Sequence, residues 1–570
     1  MKERYLDLME RSLSAYTDEH IDGYFDSVKE NGLTEHGFAR LTSNIGILIS
    51  HGRRCDLLPR FIRMMDFCCE TIPHVKAAND FSVREIICCL WEVERSNILP
   101  KSITDRWRAL ISEIDPTKCY DKFAKTPTDK VRNWALFTAL SEYFRQSANL
   151  CDSSEFIDIQ LASQLQWIDE NGMYMDNSKS DVHQPIMYDL VPRGLFSLLL
   201  HFGYRGKYFE QIDSILKRSA LHTLKMQSAI GEMAFGGRSN QFLHNEGWLC
   251  AIFEYEANRY AREGNYALAA EFKRAIEKAT SLTEHWLSKS PIRHIKNRFP
   301  TESGYGCEKY AYFDKYMITT ASNIYAAYLV CDDSITSNVY ESEVCDTFVT
   351  SEHFHKVFLR CGDYSAELDT NADPHYDASG LGRIHRLGAP SAICLSVPCP
   401  LSPKYKLDVT DNIALSLCPG ILIDGESHFA TDTDTKYRVI GTTAENGIAE
   451  TTVECTFSNG KSVRVIYALS KGGVEITASG DGEILFMLPA FSFDGESHTE
   501  ITLDEQSLSI SYEGYVCRYT TDGEIHDSER LGANRNGHYR AFYVASNGKL
   551  RIEIEIVKKM NQSIDKSVDI

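Results

Sequence analysis

The sequence has neither an excess of basic residues nor a long apolar run, and each absence excludes a class of partner. Its 570 residues include 60 Lys and Arg against 80 Asp and Glu, a formal net charge of -20. Because such a charge repels polyanions, we expect no nucleic-acid partner. No apolar run approaches the ~18 residues of a membrane span, and the first residues lack the apolar core of a secretion signal. We therefore expect no membrane partner and a cytoplasmic location.

Cys-x-x-Cys pairs are also missing, although the chain has 17 cysteines. Most of them stand within apolar helical or strand-like segments, as Cys68, Cys88, Cys250 and Cys394 do. Such positions are typical of buried, reduced thiols in a cytosolic protein rather than of a disulfide framework. We expect no metal site formed by cysteine and no cofactor.

Apolar residues recur at intervals of three and four from the N-terminus to about residue 335, which is the helical period. The predicted helices are 3–16, 36–53, 57–72, 80–95, 100–114, 131–149, 154–168, 187–203, 209–228, 240–263, 265–289 and 314–331. Twelve helices joined by alternating short and long connections favour a ring of six hairpins, with the longer loops around a cleft. A solenoid is the alternative, but no regular repeat is visible in the sequence.

After about residue 345 apolar and polar residues alternate, which is the period of half-buried strands. The predicted strands are 356–369, 391–397, 436–441, 450–457, 463–469, 483–488, 507–512, 541–545 and 550–556. Hairpin turns are predicted at Asn459-Gly460, Asp481-Gly482, Asp522-Gly523 and Asn547-Gly548. We therefore predict a multidomain α+β chain, with an (α/α)6 toroid over 1–340 and an antiparallel β-sandwich over 345–560.

The residues richest in chemistry lie in long loops and helix starts. Segment 231–248 joins a glycine-rich loop to a predicted helix, and loops 169–189 and 294–315 have a similar composition. Aromatic rings, amides and carboxylates with a few cations are what a sugar site requires, because rings pack on pyranose faces while the polar groups bind hydroxyls. Segment 371–386, at the junction of the two predicted domains, adds two histidines and two arginines. An alternative use of that junction is a metal site formed by Asp373, His375, Asp377 and His385.

Some of these residues also have a purely structural interpretation. Asp314 stands where a helix cap is expected, and His244 is compatible with a core histidine. Glu246 is a possible ion-pair partner of Arg238. Glu232 lies between glycines and outside any helical face, so it is the first candidate for a functional carboxylate.

A helical toroid followed by a sandwich, with Gly-Arg-Ser-Asn-Gln at 237–241 and His-Tyr-Asp-Ala-Ser-Gly-Leu-Gly-Arg-Ile-His at 375–385, resembles the heparinase II/III-like group. It is also similar to bacterial glucuronidase-type glycoside hydrolases built on the same (α/α) barrel. The resemblance implies a carbohydrate-active enzyme that acts on glycans containing uronic acid. The Asn-Asn-His segment of some lyase members has its nearest counterpart at 240–245, which differs from it. This difference favours hydrolysis over elimination.

Our leading hypothesis is a glycoside hydrolase that removes a terminal glucuronic or unsaturated uronic acid from an oligosaccharide by carboxylate acid/base catalysis. The catalytic candidates are Glu232 and Glu308, followed by Glu246 and Asp176. The candidates for substrate binding are Tyr188, Asp189, Arg238, Asn240, His244, Tyr310, His375, Arg383 and His385.

Two other functions remain open. The first is a uronic-acid-specific lyase, in which a tyrosine or histidine removes the C5 proton and a neutralised carboxylate stabilises the carbanion. Tyr310 or Tyr188, with His244 and Arg238, would then act. The second is a non-catalytic carbohydrate-binding protein. The sequence leaves the linkage, the anomeric outcome and self-association into a homo-oligomer undecided.

Overall fold

A computed structural model describes residues 1–176, 181–337 and 345–559. Its N-terminal half is helical, and the helices of the described residues are α1 (Lys2–Leu13), α2 (Asp18–Asn31), α3 (Gly37–Ser50), α4 (Leu58–Thr71), α5 (Asn79–Ser96), α6 (Lys101–Ser112), α7 (Pro116–Cys119), α8 (Trp134–Ser147), α9 (Ser154–Leu165), α10 (Ile186–His201), α11 (Phe209–Met226), α12 (His244–Arg262), α13 (Tyr266–Leu287) and α14 (Phe313–Val330). Their apolar side chains share one continuous core. No helix in the described ranges combines the length and apolar character needed to cross a membrane.

Six of the helices form a closed inner ring. Helices α3, α5, α8, α10, α12 and α14 each pack against the next, and α14 packs back against α3. Helices α4, α6, α9, α11, α13 and α1 pack on the outside of α3, α5, α8, α10, α12 and α14 respectively. The inner helices are buried almost all round, whereas the outer ones bury one face, as a two-layer ring requires. The predicted (α/α)6 toroid is confirmed.

Every predicted helix has a counterpart, with the largest difference at the start of α12, which begins at His244 instead of residue 240. Helix α2 was not predicted because it is highly charged and buries only Ile21, Phe25 and Val28. The Thr17 side chain, which accepts a hydrogen bond from the His20 backbone N–H, caps its first turn.

The N-termini of the inner helices meet at one end of the toroid. The His36 ring lies 4.8 Å from Phe81, and Phe81 lies 4.7 Å from Trp134, between ring centroids. On the other side of the ring, His244 lies 5.3 Å from Tyr316. These residues stand at the starts of α3, α5, α8, α12 and α14, so the positive ends of several helix dipoles point to a common space.

The C-terminal half is an antiparallel sandwich of two sheets. Its strands are β1 (Asp346–Val349), β2 (Lys356–Cys361), β3 (Tyr364–Asp369), β4 (Gly380–Arg386), β5 (Pro419–Ile423), β6 (Glu426–Phe429), β7 (Lys436–Glu445), β8 (Ile448–Thr456), β9 (Ser462–Ser470), β10 (Gly473–Phe493), β11 (Glu500–Leu503), β12 (Ser507–Tyr512), β13 (Tyr515–Thr521), β14 (Glu524–Ala533) and β15 (His538–Lys558). The smaller sheet has the order β1-β2-β3-β4 and packs on the larger one, whose central pair is β10 and β15. The predicted sandwich is confirmed.

Two turn predictions in this half are wrong for the same reason. Asp481-Gly482 lies within β10 and Asn547-Gly548 lies within β15, and the two segments face each other where the register of this strand pair shifts. Each glycine therefore accommodates an irregularity in a long strand instead of reversing the chain. The hairpin predicted at Asp522-Gly523 is also wrong, because this turn joins β13 to β14, which pair with β15 and not with each other. The Asn459-Gly460 hairpin between β8 and β9 is confirmed.

Three further expectations are corrected by local geometry. The predicted strand 391–397 begins instead as a 3-10 turn over Ser391–Cys394, because it stands between prolines that cannot join a ladder. Segment 371–386, in which no strand was predicted, contains strand β4. Cys345 and Cys361 form a disulfide, because the pairing of β1 with β2 brings these two cysteines together, while fifteen cysteines are free.

Candidate active site

Three hydroxyl groups form a short chain at the N-terminal end of the inner helices. The Tyr310 hydroxyl lies 2.8 Å from Ser239 Oγ, which lies 3.2 Å from the Tyr188 hydroxyl. The Arg238 guanidinium lies 4.5 Å from the centre of the Tyr188 ring. Tyr310 is 36% exposed and the Arg238 side chain 25% exposed, so a ligand can reach both. The first turn of α10 and the loops before α12 and α14 thus bring the predicted residues Tyr188, Arg238 and Tyr310 together.

The backbone around Ser239 is held in an uncommon conformation. Ser239 has a φ of 60° and Gln241 a φ of 65°, in the left-handed region that non-glycine residues seldom occupy. The Ser239 N–H donates to Glu308 Oε1 at 2.8 Å, and its carbonyl accepts from Asn245 Nδ2 at 3.2 Å. These bonds orient the Ser239 hydroxyl between the two tyrosines.

Arg238 is fixed by a buried carboxylate. Its Nη2 lies 2.9 Å from Asp176 Oδ2, and Asp176 Oδ1 accepts from Asn133 Nδ2 at 3.0 Å. Burial opposes the charge of Arg238, but Tyr188, Asp176 and Tyr310 outweigh it and raise the pKa of the guanidinium. The residue remains a cation with one edge exposed, which suits recognition of a carboxylate on a ligand.

The first catalytic candidate, Glu232, is fully buried in an ionic network. Its Oε1 accepts from Lys296 Nζ at 2.9 Å, and its Oε2 accepts from Ser396 Oγ at 2.9 Å. Burial opposes its ionisation, but Lys296, Arg383 and His385 outweigh this effect and lower its pKa to about 2. Glu232 therefore has no proton to donate at neutral pH and no surface open to a ligand.

Glu246, in the first turn of α12, shares Lys296 with Glu232. Lys296 Nζ donates to Glu246 Oε1 at 2.6 Å, so one ammonium lies between two carboxylates. Burial raises the pKa of Glu246, Lys296 opposes the rise and Glu232 adds to it. Its side chain is 1% exposed, and its expected ion pair with Arg238 is not formed.

Glu308 is held by an arginine from the sandwich. Arg535 Nη2 donates to its Oε1 at 2.6 Å, and Nη1 donates to its Oε2 at 3.0 Å. Both side chains are buried. Such a two-point pair fixes the orientation of the Glu308 carboxylate.

The remaining candidates from the helical half differ in their placement. Asp189 is completely buried in α10, where it pairs with Arg193 and accepts the Tyr174 N–H. Asn240 donates to the Ala234 carbonyl and is also buried. His244 is 7% exposed, and burial together with Arg40, His294 and Lys296 lowers its pKa to about 3, which leaves it uncharged.

The candidates from the junction segment divide between surface and interior. His375 is half-buried, with Nδ1 2.8 Å from the Ser402 carbonyl oxygen. Arg383 donates to the Met233 carbonyl at 2.8 Å, and His385 lies with Nε2 3.7 Å from Glu232 Oε2. Arg383 and His385 are buried in β4, and they contact the 231–239 loop through Met233 and Glu232. No group of three potential metal ligands occurs among the described residues, including Asp373 and Asp377.

A separate concavity of about 840 Å³ opens between α13 and the sandwich. Trp286, Tyr512 and Arg298 are among its lining residues. Lys296 also lines it, and this lysine pairs with the buried carboxylates of Glu232 and Glu246. The hydroxyl chain around Ser239 does not line it. The candidate site and this concavity are therefore different places.

Sequence reasoning missed several residues that complete the site. Ser239, Lys296, Lys356 and Arg535 were not proposed, although Ser239 stands beside Arg238 in the segment that was singled out. Lys296 lies in loop 294–315, which was singled out, but no role was assigned to it. Arg535 has no local signal, because its partner Glu308 lies 227 positions away. Lys356 pairs with the nearby Glu367 and Asp369, but its contact with Phe235 joins distant parts of the chain.

No protein-family model matches the sequence, and no curated protein matches it significantly. Similar solved structures include a heparan sulfate lyase mutant from Pedobacter heparinus, 9% identical over 92% of this chain and 77% of that one, with a TM-score of 0.46. A chondroitin lyase of a baculovirus envelope is 8% identical over 91% of this chain and 76% of that one, with a TM-score of 0.42.

A family 88 glycosyl hydrolase from Bacteroides vulgatus is 13% identical over 58% of this chain and 99% of that one, with a TM-score of 0.37. These are likenesses of fold alone. The chemistry of the site has to come from the residues of this chain.

Proposed function

We propose that the protein is a carbohydrate-active enzyme that cleaves uronic-acid-containing oligosaccharides by β-elimination. The observation that carries this proposal is the contrast between two groups of candidates. The hydroxyls of Tyr188, Ser239 and Tyr310 are linked to one another beside the accessible cation Arg238. The four candidate carboxylates, in contrast, are buried: Glu232, Glu308, Glu246 and Asp176.

Elimination requires a cation at the uronate carboxylate, a base at C5 and an acid at the leaving oxygen. Arg238 pairs with the carboxylate and so makes the C5 proton more acidic. Tyr188, whose ring lies beside the Arg238 guanidinium, acts as the base and takes this proton on its oxygen. The electron pair forms the C4–C5 double bond, the C4–O bond breaks, and Tyr310 gives its proton to the leaving oxygen.

Ser239 restores the two tyrosines after each turnover. Burial, followed by the neighbouring Tyr188 and Glu308, raises the pKa of Tyr310, so Tyr310 regains a proton readily. The proton on Tyr188 passes to Ser239 Oγ while the serine hydroxyl passes its own proton to Tyr310, over contacts of 3.2 and 2.8 Å. The cycle ends with a protonated Tyr310 and no net gain of protons by the enzyme.

Hydrolysis, expected from the sequence, has less support at these side chains. It needs one protonated and one ionised carboxyl group on either side of the glycosidic bond. Glu232 and Glu308 are each engaged by a cation and shielded from solvent. The test is to incubate the protein with glucuronate-containing oligosaccharides and follow ultraviolet absorbance and free uronic acid together. Elimination yields new absorbance, and hydrolysis yields saturated uronic acid without it.

A further inference from the structure

A long groove lies on the outer side of the toroid, where α13 faces the sandwich. Glu271, Arg274, Lys278, His285 and Lys289 line it along α13. Their spacings of three, four and seven residues place them on one face of the helix. Because each helical residue adds about 1.5 Å, this face extends for about 27 Å. The concavity of about 840 Å³ described above is therefore elongated, which suits a chain molecule better than a compact ligand.

The opposite wall of the groove comes from turns of the sandwich. Gly362 in the β2–β3 turn, residues 387–392 after β4 and Glu513 in the β12–β13 turn all line it. Lys289 Nζ lies 2.9 Å from Glu513 Oε1, which joins the two walls at one end. Among the described residues that line the groove, none belongs to the hydroxyl chain of the candidate site. A ligand in the groove therefore contacts both halves of the chain and leaves the candidate site open.

Aromatic rings and cations occur together at the Glu513 end of the groove. Trp286 and Tyr512 line it there, and both are half-buried. The Arg298 side chain is 21% exposed, lies 3.9 Å from Glu513 and pairs with Glu496. Rings that pack on the apolar face of a pyranose, beside cations that pair with carboxylates, are the combination that an acidic sugar requires.

The charge of the groove favours an anion. Seven lysines and arginines line it against five aspartates and glutamates among the described residues, and Lys296 alone of the seven is neutralised by two buried carboxylates behind the wall. Arg360, near the Glu271 end, makes no salt bridge within the described ranges and donates to the Leu224 carbonyl at 2.5 Å. Burial lowers the pKa of Arg360, and Glu271 and Asp346 do not outweigh this effect. The positive charge at this end is thus only partly compensated.

We propose that the groove is a second glycan-binding site, which takes an acidic oligosaccharide chain lying along α13. Carboxylates of the chain pair with Arg298 and Arg360, and Trp286 and Tyr512 pack on its sugar rings. The choice of a glycan over another anionic chain rests on the proposed function. A long substrate is then held at two places, whereas a short one is held at the candidate site alone.

Calorimetry with the variant Arg238→Ala tests the groove separately, because this variant lacks the cation of the candidate site. The probe is an unsulfated hexasaccharide in which every second sugar is glucuronate. We expect it to bind about tenfold more tightly than the same hexasaccharide with its carboxylates reduced to alcohols. A polyglutamate peptide of the same charge is the third probe. Equal or tighter binding of this peptide would overturn the choice of a glycan.

In the same background, Arg298→Gln and Arg360→Gln should each weaken hexasaccharide binding about tenfold. The two substitutions lie at different ends of the groove, and thermal unfolding shows whether each variant folds, so one can stand for both. Arg438→Gln removes an arginine of β7 that is paired with Glu454 outside the groove, and it should bind as its parent does. Absence of hexasaccharide binding by folded Arg238→Ala would overturn the site, and so would groove variants that bind as tightly as their parent. Failure of the elimination assay with groove binding intact would reject the proposed reaction alone.

Discussion

Ser239 occupies a position at which few other residues could form the same contacts. It has a positive φ, donates its N–H to Glu308 and holds its hydroxyl between two tyrosines. Glu308, proposed from the sequence as a catalytic residue, is held by Arg535 and supports that backbone. The accessible part of the candidate site is thus the hydroxyl chain, and the buried ion pair of Glu308 with Arg535 supports its geometry.

The variant Tyr310→Phe removes the proposed acid and keeps the ring. We expect kcat to fall by about 10²–10⁴-fold, the usual contribution of general acid or base catalysis, with stability nearly unchanged. Steady-state kinetics and thermal unfolding measure the two effects. Tyr312→Phe is the matched control, since Tyr312 is 44% exposed two residues away. A Tyr310→Phe enzyme as fast as the control would remove this tyrosine from the mechanism.

The charge of Glu232 should make the free energy of unfolding depend on pH. Its pKa falls from the ordinary 4.5 to about 2 in the folded protein. A lowered pKa means that the stabilisation is fully present above about pH 4.5 and is lost as the pH falls towards about 2. Glu232→Gln should therefore reduce the free energy of unfolding by about 3 kcal/mol at neutral pH, with a difference from wild type that narrows below pH ~4.5.

Urea unfolding of both proteins between pH 7 and pH 3 measures this difference. Glu263→Gln, at a half-exposed surface pair, should change stability by less than about 1 kcal/mol at any pH. A Glu232→Gln effect that stays constant over the whole range would show that the charge of Glu232 is not responsible.

The loop over residues 231–239 depends on close contact with an outer helix. Gly231 has a φ of 93°, and a Cβ at this position would lie 2.3 Å from the backbone carbonyl carbon of Lys278 in α13. Because a backbone cannot move aside as a side chain does, Gly231→Ala should displace the loop and with it Arg238 and Ser239. We expect a large loss of kcat/KM together with a loss of stability.

The control variant Gly264→Ala has the backbone strain expected of Gly231→Ala but not its collision with a neighbouring helix. Gly264 has a φ of 79° and no atom within 4 Å of the added Cβ, so its substitution should cost only about 1–2 kcal/mol and leave kcat/KM unchanged. Gly231→Ala should cost about 1–3 kcal/mol more than this, as measured by chemical unfolding. Equal losses in the two variants would mean that contact with α13 does not hold the loop.

The sequence allowed the secondary elements to be predicted wherever one residue pattern decides them. Apolar stripes such as that of α8 locate the inner helices, because a stripe must face a core whatever the partner. Strand β15 was predicted as two strands, and β10 only from residue 483 onward, because an Asp-Gly or Asn-Gly pair is the same signal in a hairpin and in a bulge. Helix α2 was missed because it buries few apolar side chains.

The site was only half predictable for a related reason. Arg238, Tyr188 and Tyr310 were found because loops with aromatic and charged residues are visible in the sequence. The assignment of Glu232 as an acid or base depended on its surroundings, and Lys296, Ser396 and Arg383 come from 64, 164 and about 150 positions away. The sequence around a carboxylate carries no information on such distant partners. These partners decide whether the carboxylate is free to act as an acid or base or is held in an ion pair that supports the fold.

At the scale of the molecule, the helical half carries Tyr188, Ser239 and Tyr310, and the sandwich contacts the loop before α12. Gly237 donates its N–H to Asp377 at 2.8 Å, and Lys356 lies 3.5 Å from the centre of the Phe235 ring. We propose residues 1–340 and 345–560 as two domains, with the site completed only when both are present. The acidic groups of a glycan would meet Arg238 and the N-termini of the inner helices, despite the net charge of -20.

The most direct test of this account is the reaction itself, followed in water enriched in oxygen-18 with a glucuronate-containing oligosaccharide. The account predicts a rise in ultraviolet absorbance from a new C4–C5 double bond, products without oxygen-18 from the solvent, and loss of both product and absorbance in Tyr310→Phe. Release of saturated uronic acid that carries oxygen-18, with no rise in absorbance, would contradict elimination at Tyr188, Ser239 and Tyr310.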